Sequence, residues 1–401
     1  MKFALVSHVL PPSWSGQSMM IYRLLKDLDA EAYCLISSED YSDTSDNNYS
    51  EKLSGRYYHL RPESHIERGS RYRHLQNLAN IMLGIVQRAT NIHRIVRQEK
   101  CDAVVACTGG YDLLDLPAGY LASRMARVPF YPFLLDYYSY QWHTHNKWGS
   151  YPRLARWMER FMMRQAQGII ALNEFMVDEL RDRYGARASL VRNPCDVSEY
   201  ENNGPAARAT AEFRIVFTGA IYEAHYDAFR NLIEAVRKLN RSDITLHFYT
   251  AQSPADLAKQ GISGPIVYHP HEPLNAMPAI QQRADILFLP LAFASPYPQI
   301  VKTSAPTKLG EYLAVRRPIL VHAPADSFLT WYFRRHGCGE VVDRLDPKAL
   351  ADAIERILCN HTLQRNITNR AWERAREDFD LPAARNAFLE IVQSRDSAKK
   401  R

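Results

Sequence analysis

Short apolar segments recur along the whole chain, and longer amphipathic segments separate them. A brief, continuously apolar run is typical of a buried strand, whereas helical periodicity marks the segments between the runs. Strands buried on both faces occur in parallel sheets that have helices on each side. The alternation therefore predicts an α/β fold. A composition of 46% hydrophobic and 23% charged residues excludes a disordered, collagenous or simple coiled-coil chain.

The pattern occurs twice, on either side of a polar stretch near residues 193–212. Strands are expected at 3–7, 32–36, 103–107, 130–135, 168–172 and 188–192 in the first half, and at 214–218, 245–249, 266–268, 286–289, 319–321 and 340–342 in the second. We therefore expect two facing, doubly wound, Rossmann-like domains, residues 1–200 and 201–381. A final helix within residues 382–401 could pack back on the first domain. Ligands of such sheets bind beyond the carboxyl ends of the strands, so the cleft between the domains is the expected site.

Charge and cysteine content limit the partners and the compartment. The chain has 50 Lys and Arg residues against 44 Asp and Glu residues, a net charge of +6, which suits an anionic small molecule or an anionic membrane surface. Six cysteines form no C-x-x-C pair, so buried thiols in a reducing compartment are expected. No apolar run reaches the length of a membrane span, about 18 residues. We expect a cytoplasmic protein.

Several common catalytic signatures are missing. No G-x-G-x-x-G follows a strand and no G-x-x-x-x-G-K-[ST] is present, which disfavours nicotinamide dehydrogenases and P-loop phosphoryl transfer. One D-x-D motif, Asp27 and Asp29, falls at the end of the first predicted helix and is interpreted as surface carboxylates. The sequence therefore predicts no metal site and no cofactor.

The strongest local signal follows the strand predicted at 286–289. A loop at 291–305 leads through Ser304 to a helix on which Lys308 and Glu311 lie one turn apart and share a face. A lysine near a helix N-terminus suits a diphosphate, and a glutamate one turn further suits two ribose hydroxyl groups. A surface Lys–Glu pair of little energetic value is the alternative.

The strand ends of the first half offer three further candidates. Gly16 precedes a helix and allows a phosphate to approach the backbone, although an ordinary strand-to-helix turn with a serine cap is the alternative. Asp136 ends the strand at 130–135 and begins an aromatic run at 137–143, which suits sugar stacking or simple packing. Gly109 and Gly110 follow the strand at 103–107 and indicate a cleft or a tight turn.

Residues 68–100 form a basic, amphipathic segment with Glu99 as its one acid. Apolar residues recur at helical spacing, among them Leu75, Met82 and Ile92, and predict one helix or two interrupted near Gly84. Two interpretations remain open: the apolar stripe packs on the core below a solvated basic face, or the segment contacts anionic lipid. Binding of nucleic acid is not expected, because no nucleic-acid-binding fold accompanies the charge.

The segment S-A-P-T-K-L-G-E-Y-L-A-V-R-R-P-I-L-V at 304–321 resembles the donor-nucleotide segment of GT-B glycosyltransferases in the retaining family 4 grouping, glycosyl transferases group 1. The opening strand and glycine loop, L-V-R-N-P-C-D at 190–196, I-V-F-T-G at 215–219 and A-D-I-L-F-L-P at 284–290 are similar to other anchors of that family, in the same order. The resemblance implies an N-terminal acceptor-side domain and a C-terminal donor domain. It assigns Asp136 to catalysis and five residues to the donor nucleotide, namely Gly16, Gly219, Ser304, Lys308 and Glu311.

Two departures from the family pattern bear on activity. The family commonly has Arg and then Lys soon after the position of Gly219, where this chain has Ala220 and no lysine through Tyr226. The family's E-x7-E pair would need glutamate at 303 and 311, and this chain has Thr303 and Glu311. The diphosphate would then depend on backbone N–H groups, Lys308 and Lys302.

The resemblance implies a hexosyltransferase-like enzyme (EC 2.4) that moves a sugar from a nucleotide-diphosphate sugar to a glycan or lipid-linked acceptor, with retention at the anomeric carbon. Cell-surface glycan or polysaccharide biosynthesis is the implied process, at the inner face of the membrane as a peripheral protein. Metal is not expected, because a helix dipole and a cation can neutralise the leaving diphosphate. A GT-B nucleotide-sugar epimerase and a non-catalytic GT-B binding module are the alternatives, and the two departures favour the latter.

Overall fold

A computed structural model describes residues 1–13, 15–41, 52–63, 73–109, 113–141, 151–201, 212–270 and 272–394. The chain divides into two compact units, Met1–Arg192 with Pro382–Arg401, and Asn193–Leu381. Each unit is built on one parallel β-sheet with flanking helices, so the predicted α/β class with two Rossmann-like halves is confirmed. Within the described residues, none of the helices combines the length and the apolar composition that crossing a bilayer requires.

The sheet of the first unit has seven strands in the order β3-β2-β1-β4-β5-β6-β7. The strands are β1 Phe3–Val6, β2 Tyr33–Ser37, β3 Arg56–His59, β4 Ala103–Cys107, β5 Phe130–Leu134, β6 Ile169–Ala171 and β7 Ala188–Leu190. The helices up to residue 192 are α1 Gly16–Leu25, α2 Arg73–Gln98, α3 Asp115–Ala126, α4 Tyr138–Gln141, α5 Pro152–Gln165 and α6 Glu174–Tyr184. Strands β1, β2, β4 and β5 are buried along their whole length, as continuous apolar runs require.

The sheet of the second unit has six strands in the order β10-β9-β8-β11-β12-β13. They are β8 Phe213–Thr218, β9 Ile244–Tyr249, β10 Ile266–His269, β11 Ile286–Pro290, β12 Ile319–His322 and β13 Glu340–Val342. The remaining helices are α7 Tyr226–Leu239, α8 Pro254–Lys259, α9 Met277–Gln282, α10 Pro298–Thr303, α11 Lys308–Ala314, α12 Phe328–His336, α13 Pro347–Cys359, α14 His361–Asp378 and α15 Leu381–Gln393. The strand order reverses between β8 and β11, which opens a crevice at their carboxyl ends.

Helix α15 packs on the first unit. Phe388 is fully buried, and its ring meets those of Phe3 and Phe133 at centroid distances of 5.7 and 6.0 Å. Arg385 donates to the carbonyl of Leu24 at 3.1 Å and pairs with Asp27 at 2.6 Å. The last described helix therefore completes the core begun by the first strand.

Helix α2 confirms one part of the prediction for residues 68–100 and corrects another. It runs through Gly84 without interruption. The glycine leaves room for the residue that precedes α3, since a Cβ on Gly84 would lie 2.9 Å from Leu114 Cδ1. Ile92 is buried, as the core interpretation requires. Arg88, one of the basic residues of this amphipathic segment, is buried instead of solvated and pairs with Asp115 at 2.6 Å. Residues 68–72 lie outside the described residues.

Candidate active site

Gly219 and Lys308 meet at the carboxyl end of β8, beside the reversal in strand order. Gly219 directly follows the strand and has a φ of +114°, which favours glycine. A Cβ at this position would lie 3.0 Å from Lys308 Nζ and 3.2 Å from its Cε. The missing side chain of Gly219 therefore makes room for the lysine.

Lys308 is a half-buried cation. Its Nζ lies 4.0 Å from the centroid of the Phe217 ring. Among the described residues, no carboxylate comes within the 4.0 Å of an ion pair with it. Burial lowers the pKa of Lys308 to about 7, although the negative charge of Glu311 opposes the shift. A bound anion would favour the ammonium form of Lys308, because negative charge raises the pKa of a lysine.

Glu311 lies one turn further along α11 and is buried. Its Oε2 accepts a hydrogen bond from Gln281 Nε2 at 2.9 Å. The neighbouring Tyr312 fixes the helix, because its hydroxyl accepts from the backbone N–H of Thr218 at 3.0 Å. Helix α11 is thus held against the end of β8, with both charged side chains of its first turn near the crevice.

Among the described residues, Ser304 and Lys302, at the end of α10, make no direct polar contact with the charged pair of α11. Ser304 follows α10 in extended backbone, and Lys302 is exposed on that helix. Across the part of the chain that the structure describes, no hydrogen bond or ion pair joins Ser304 or Lys302 to Lys308 or Glu311. Thr303, where the family has its first glutamate, is buried and donates from Oγ1 to the carbonyl of Gln299 at 3.0 Å.

His225 lies in the segment after Gly219 in which the sequence has no lysine. The ring is buried and lies edge-on to Phe217 at a centroid distance of 6.1 Å. Burial, with the positive charge of Lys308, lowers the pKa of His225 to about 3. The imidazole is therefore neutral at physiological pH and leaves Lys308 as the cation of this group.

In the first unit, Gly16 is the first residue of α1. Ser15 caps this helix, since its Oγ accepts from the backbone N–H of Ser18 at 3.0 Å. Gln17, the next residue, donates from Nε2 to Ser7 Oγ at the end of β1, at 2.7 Å. Gly16 therefore belongs to a serine-capped strand-to-helix turn, as the simpler interpretation holds.

Asp136 follows β5 and is half-buried. Thr108, just after β4, donates from Oγ1 to the backbone carbonyl of Asp136 at 2.5 Å and accepts from the N–H of Leu135 at 3.0 Å. Among the described residues, the Asp136 carboxylate has no hydrogen-bond donor. Burial raises the pKa of Asp136 to about 6. Thr108 therefore holds the backbone of Asp136 in place, and the carboxylate can accept a hydrogen bond from a ligand.

The aromatic run after Asp136 is packed where the structure describes it. Tyr137 and Tyr138 are fully buried, so the packing interpretation holds for both. Trp142, His143 and Gly110 lie outside the described residues. Gly109 has a φ of +111°, which fits the predicted tight turn.

The D-x-D carboxylates are occupied by contacts within the first unit. Asp27 pairs with Arg385, and Asp29 accepts from the N–H of Glu31 at 3.0 Å. Within the described ranges, no three His, Cys, Asp or Glu side chains lie close enough together to hold a metal ion.

Two family models match the chain one after the other. The glycosyl transferase 4-like domain matches residues 16–196, and glycosyl transferases group 1 matches residues 212–360. The chain belongs to the group 1 glycosyltransferases. This confirms the predicted family and the predicted enzyme class. No curated protein matches the sequence significantly.

Solved structures agree with this glycosyltransferase in fold. Sucrose-phosphate synthase from Thermosynechococcus elongatus is similar with a TM-score of 0.69 at 13% identity, over 97% of this chain and 98% of the other. A Rickettsia africae glycosyltransferase gives 0.67 at 14% identity, over 98% and 97%. Anabaena HepE, in complex with UDP and glucose, gives 0.66 at 13% identity, over 98% and 100%. These likenesses confirm the GT-B fold.

The sequence analysis did not identify several residues that contact the Lys308 and Asp136 regions. Thr108 and Thr218 are the polar residues that close apolar strands, a signal that could have marked them. Gln281 and His225 offer no such signal, because only folding brings them beside Glu311 and Lys308.

Proposed function

We propose that this glycosyltransferase takes its sugar from a nucleotide-diphosphate sugar, which is bound at the carboxyl end of β8. The observation that supports the proposal is Lys308, which stands beside Gly219 without an ion-pair partner among the described residues, with Glu311 one turn away. HepE, which shares the fold, is described with UDP and with UDP-glucose, so UDP-sugars are the first donors to test.

Each residue of this group has a definite part in the proposed chemistry. The Lys308 ammonium binds the diphosphate and neutralises the charge that builds on it as the bond to the sugar breaks. Gly219 lets the phosphates approach the backbone, because no Cβ is present. Glu311 accepts hydrogen bonds from the two ribose hydroxyl groups. We propose that the positive charge of Lys308 serves in place of a metal ion.

Asp136 is the proposed catalytic residue on the acceptor side. Its carboxylate has no donor among the described residues, and a pKa of about 6 leaves it largely ionised at pH 7. It is suited to accept a hydrogen bond from the acceptor hydroxyl. Retention at the anomeric carbon, a glycan or lipid-linked acceptor, and cell-surface glycan or polysaccharide biosynthesis are proposed from the family resemblance. The cytoplasm, with peripheral attachment to the inner membrane face, is the proposed location.

Donor binding is tested first by thermal shift with UDP-, GDP-, ADP- and CMP-sugars, because a ligand of the folded state raises the melting temperature. Calorimetry with the best donor then compares the wild type with Glu311→Ala. Loss of a charged hydrogen-bonding group should weaken binding by about 1.5–3 kcal/mol. Glu373→Ala, an exposed position on α14, is the matched control. Unchanged affinity in Glu311→Ala would contradict the ribose assignment.

Product analysis separates glycosyl transfer from the two alternatives. Transfer releases the nucleoside diphosphate and links the sugar to the acceptor. An epimerase alters the sugar and leaves a second nucleotide sugar in the mixture. A binding module, which the threonine at position 303 favours, shows donor affinity without either product.

A further inference from the structure

Six large apolar side chains are exposed on three helices of the first unit. Leu75 is 67% exposed on α2 and Trp157 is 64% exposed on α5. The complete set is Leu75, Met82 and Val86 on α2, Met125 on α3, and Trp157 and Phe161 on α5. Helix α3 packs against both α2 and α5, so the three helices form one layer. Their outer side is named here the three-helix face. Clusters of exposed apolar groups on a protein mark an interaction site.

The charge of the three-helix face is positive. The helices contain two acidic residues, Asp115 and Glu159, and both are buried. Among the residues of these helices whose exposure the structure describes, the exposed cations are Arg94, Arg97, Arg124, Arg153, Arg156, Arg160 and Arg164. A partner for this face must therefore accept apolar side chains and carry negative charge.

Helix α5 combines both properties most closely. Trp157 and Phe161 lie one turn apart with their rings stacked, 5.9 Å between centroids and 10° between planes. Four exposed arginines, at 153, 156, 160 and 164, flank the pair. The opposite side of the helix buries Met158 and Met162 in the core. Phe161 also meets the ring of Tyr120 on α3 edge-on at a centroid distance of 5.6 Å, which leaves Trp157 as the more exposed ring of the pair.

We propose that the three-helix face docks on an anionic lipid bilayer, with Trp157 and Phe161 inserted among the headgroups. Aromatic rings favour the interface between headgroups and acyl chains, while arginines extend to the phosphates. This inference deepens the proposed peripheral location and rests on it. Vesicle binding is measured without donor or acceptor, so it can fail while glycosyl transfer stands.

The sequence-based hypothesis placed lipid contact at residues 68–100, whereas the three-helix face adds α5 to this surface. On α2 the exposed apolar residues, Leu75, Met82 and Val86, precede the exposed Arg94 and Arg97. On α5 the two kinds of residue alternate within the same turns. We therefore expect α5 to contribute more binding than the arginines of α2.

Co-sedimentation of the full chain with vesicles of phosphatidylglycerol and phosphatidylcholine tests the proposal. Trp157→Ser with Phe161→Ser should abolish binding, and Trp157→Tyr alone should retain it. Arg153→Gln, Arg156→Gln and Arg160→Gln together should weaken binding about 100-fold, since each basic residue at an anionic surface contributes about fivefold. Salt at 0.5 M, where charge is screened beyond about 4 Å, should release the wild type.

The matched control removes the same charge from the second unit, by Arg365→Gln, Arg370→Gln and Arg376→Gln on α14. Equal loss in this control would overturn the proposal, because net charge and not the three-helix face would then govern binding. Absence of wild-type sedimentation, or equal binding to pure phosphatidylcholine, would also overturn it. Binding to single-stranded nucleic acid without binding to vesicles would assign the face to another partner. Circular dichroism of each variant verifies that the fold is intact.

Discussion

The two units present opposite charges at the ends of similar sheets. In the second unit a cation, Lys308, stands beside Gly219 without an ion-pair partner among the described residues. In the first unit an anion, Asp136, follows β5 without a hydrogen-bond donor in the same described set, while Thr108 and Gln17 are satisfied by neighbouring groups. The two positions are not topologically equivalent, because β8 is the first strand of its sheet along the chain, whereas β5 lies two strands from the first strand, β1. The sign of the charge distinguishes a group suited to phosphate from one suited to a hydroxyl.

Burial acts against the charge of both residues. Burial lowers the pKa of Lys308 to about 7 and raises the pKa of Asp136 to about 6, and each shift favours the neutral form. Perturbed groups of this kind concentrate at functional sites. We therefore expect a substitution of Lys308 to lower the affinity for the donor and a substitution of Asp136 to lower turnover.

The largest expected effect is that of Asp136→Asn on turnover. Loss of an acid–base group should lower kcat about 100-fold or more while the dissociation constant of the donor stays unchanged. Steady-state kinetics and calorimetry measure the two quantities, with Asp182→Asn on α6 as an exposed control. An equal loss of donor affinity would remove the distinction between the units.

Asp136→Asn should also change how stability depends on pH. The folded-state pKa of about 6 lies above the ordinary 3.8, so the contribution of Asp136 is present at low pH and is lost as pH rises through 6. The variant should therefore gain in melting temperature relative to the wild type between pH 4 and pH 7, as pH scans of thermal unfolding would show.

Lys308→Met should weaken donor binding by about 10- to 150-fold, which corresponds to about 1.5–3 kcal/mol for a charged hydrogen bond. Its melting temperature should not fall, because an apolar chain of similar length replaces a half-buried charge that its surroundings disfavour. Calorimetry and thermal unfolding test both statements, with Lys238→Met on α7 as control. Full donor affinity in Lys308→Met would assign the diphosphate elsewhere.

Donor binding should take up close to one proton above pH 7. The free enzyme has Lys308 with a pKa of about 7, and a bound diphosphate raises this pKa because negative charge favours the ammonium form. Affinity should fall by up to about tenfold for each pH unit above 7. Calorimetry of a UDP-sugar in two buffers of different ionisation heat measures the uptake, which should vanish in Lys308→Met.

The smallest expected effect is that of a chelator. Because Lys308 is proposed to supply the positive charge at the diphosphate, EDTA should leave turnover unchanged. Turnover lost with EDTA and restored by manganese would show that the second unit uses a metal ion instead of the lysine alone.

The sequence predicted the sheets better than the sites. The buried strand β4 was predicted with the observed bounds, because a continuous apolar run leaves few alternatives. Strand β3 was missed, since it lies at the sheet edge and its sequence Arg-Tyr-Tyr-His has no apolar pattern. Helix α10 was missed inside the predicted loop at 291–305.

The candidate sites depend on long-range contacts that spacing cannot reveal. Lys308 and Glu311 were predicted from their helical spacing, but the approach of Lys308 to Gly219 required the fold. Arg88 shows the reverse case, because a basic residue of the amphipathic segment at 68–100 is buried against Asp115 instead of solvated. Helical periodicity identified the α2 stripe without showing which of its apolar residues α3 would cover.

Helix α15 has a consequence for how the chain is made. The first unit receives Phe388 against Phe3 and Phe133 only after the whole second unit has been translated. At about 5–20 residues per second, the ribosome takes roughly 10–40 seconds to cover that interval. During this time the nascent first unit lacks the ring of Phe388 in its core, and the apolar surface that α15 covers stays exposed to solvent.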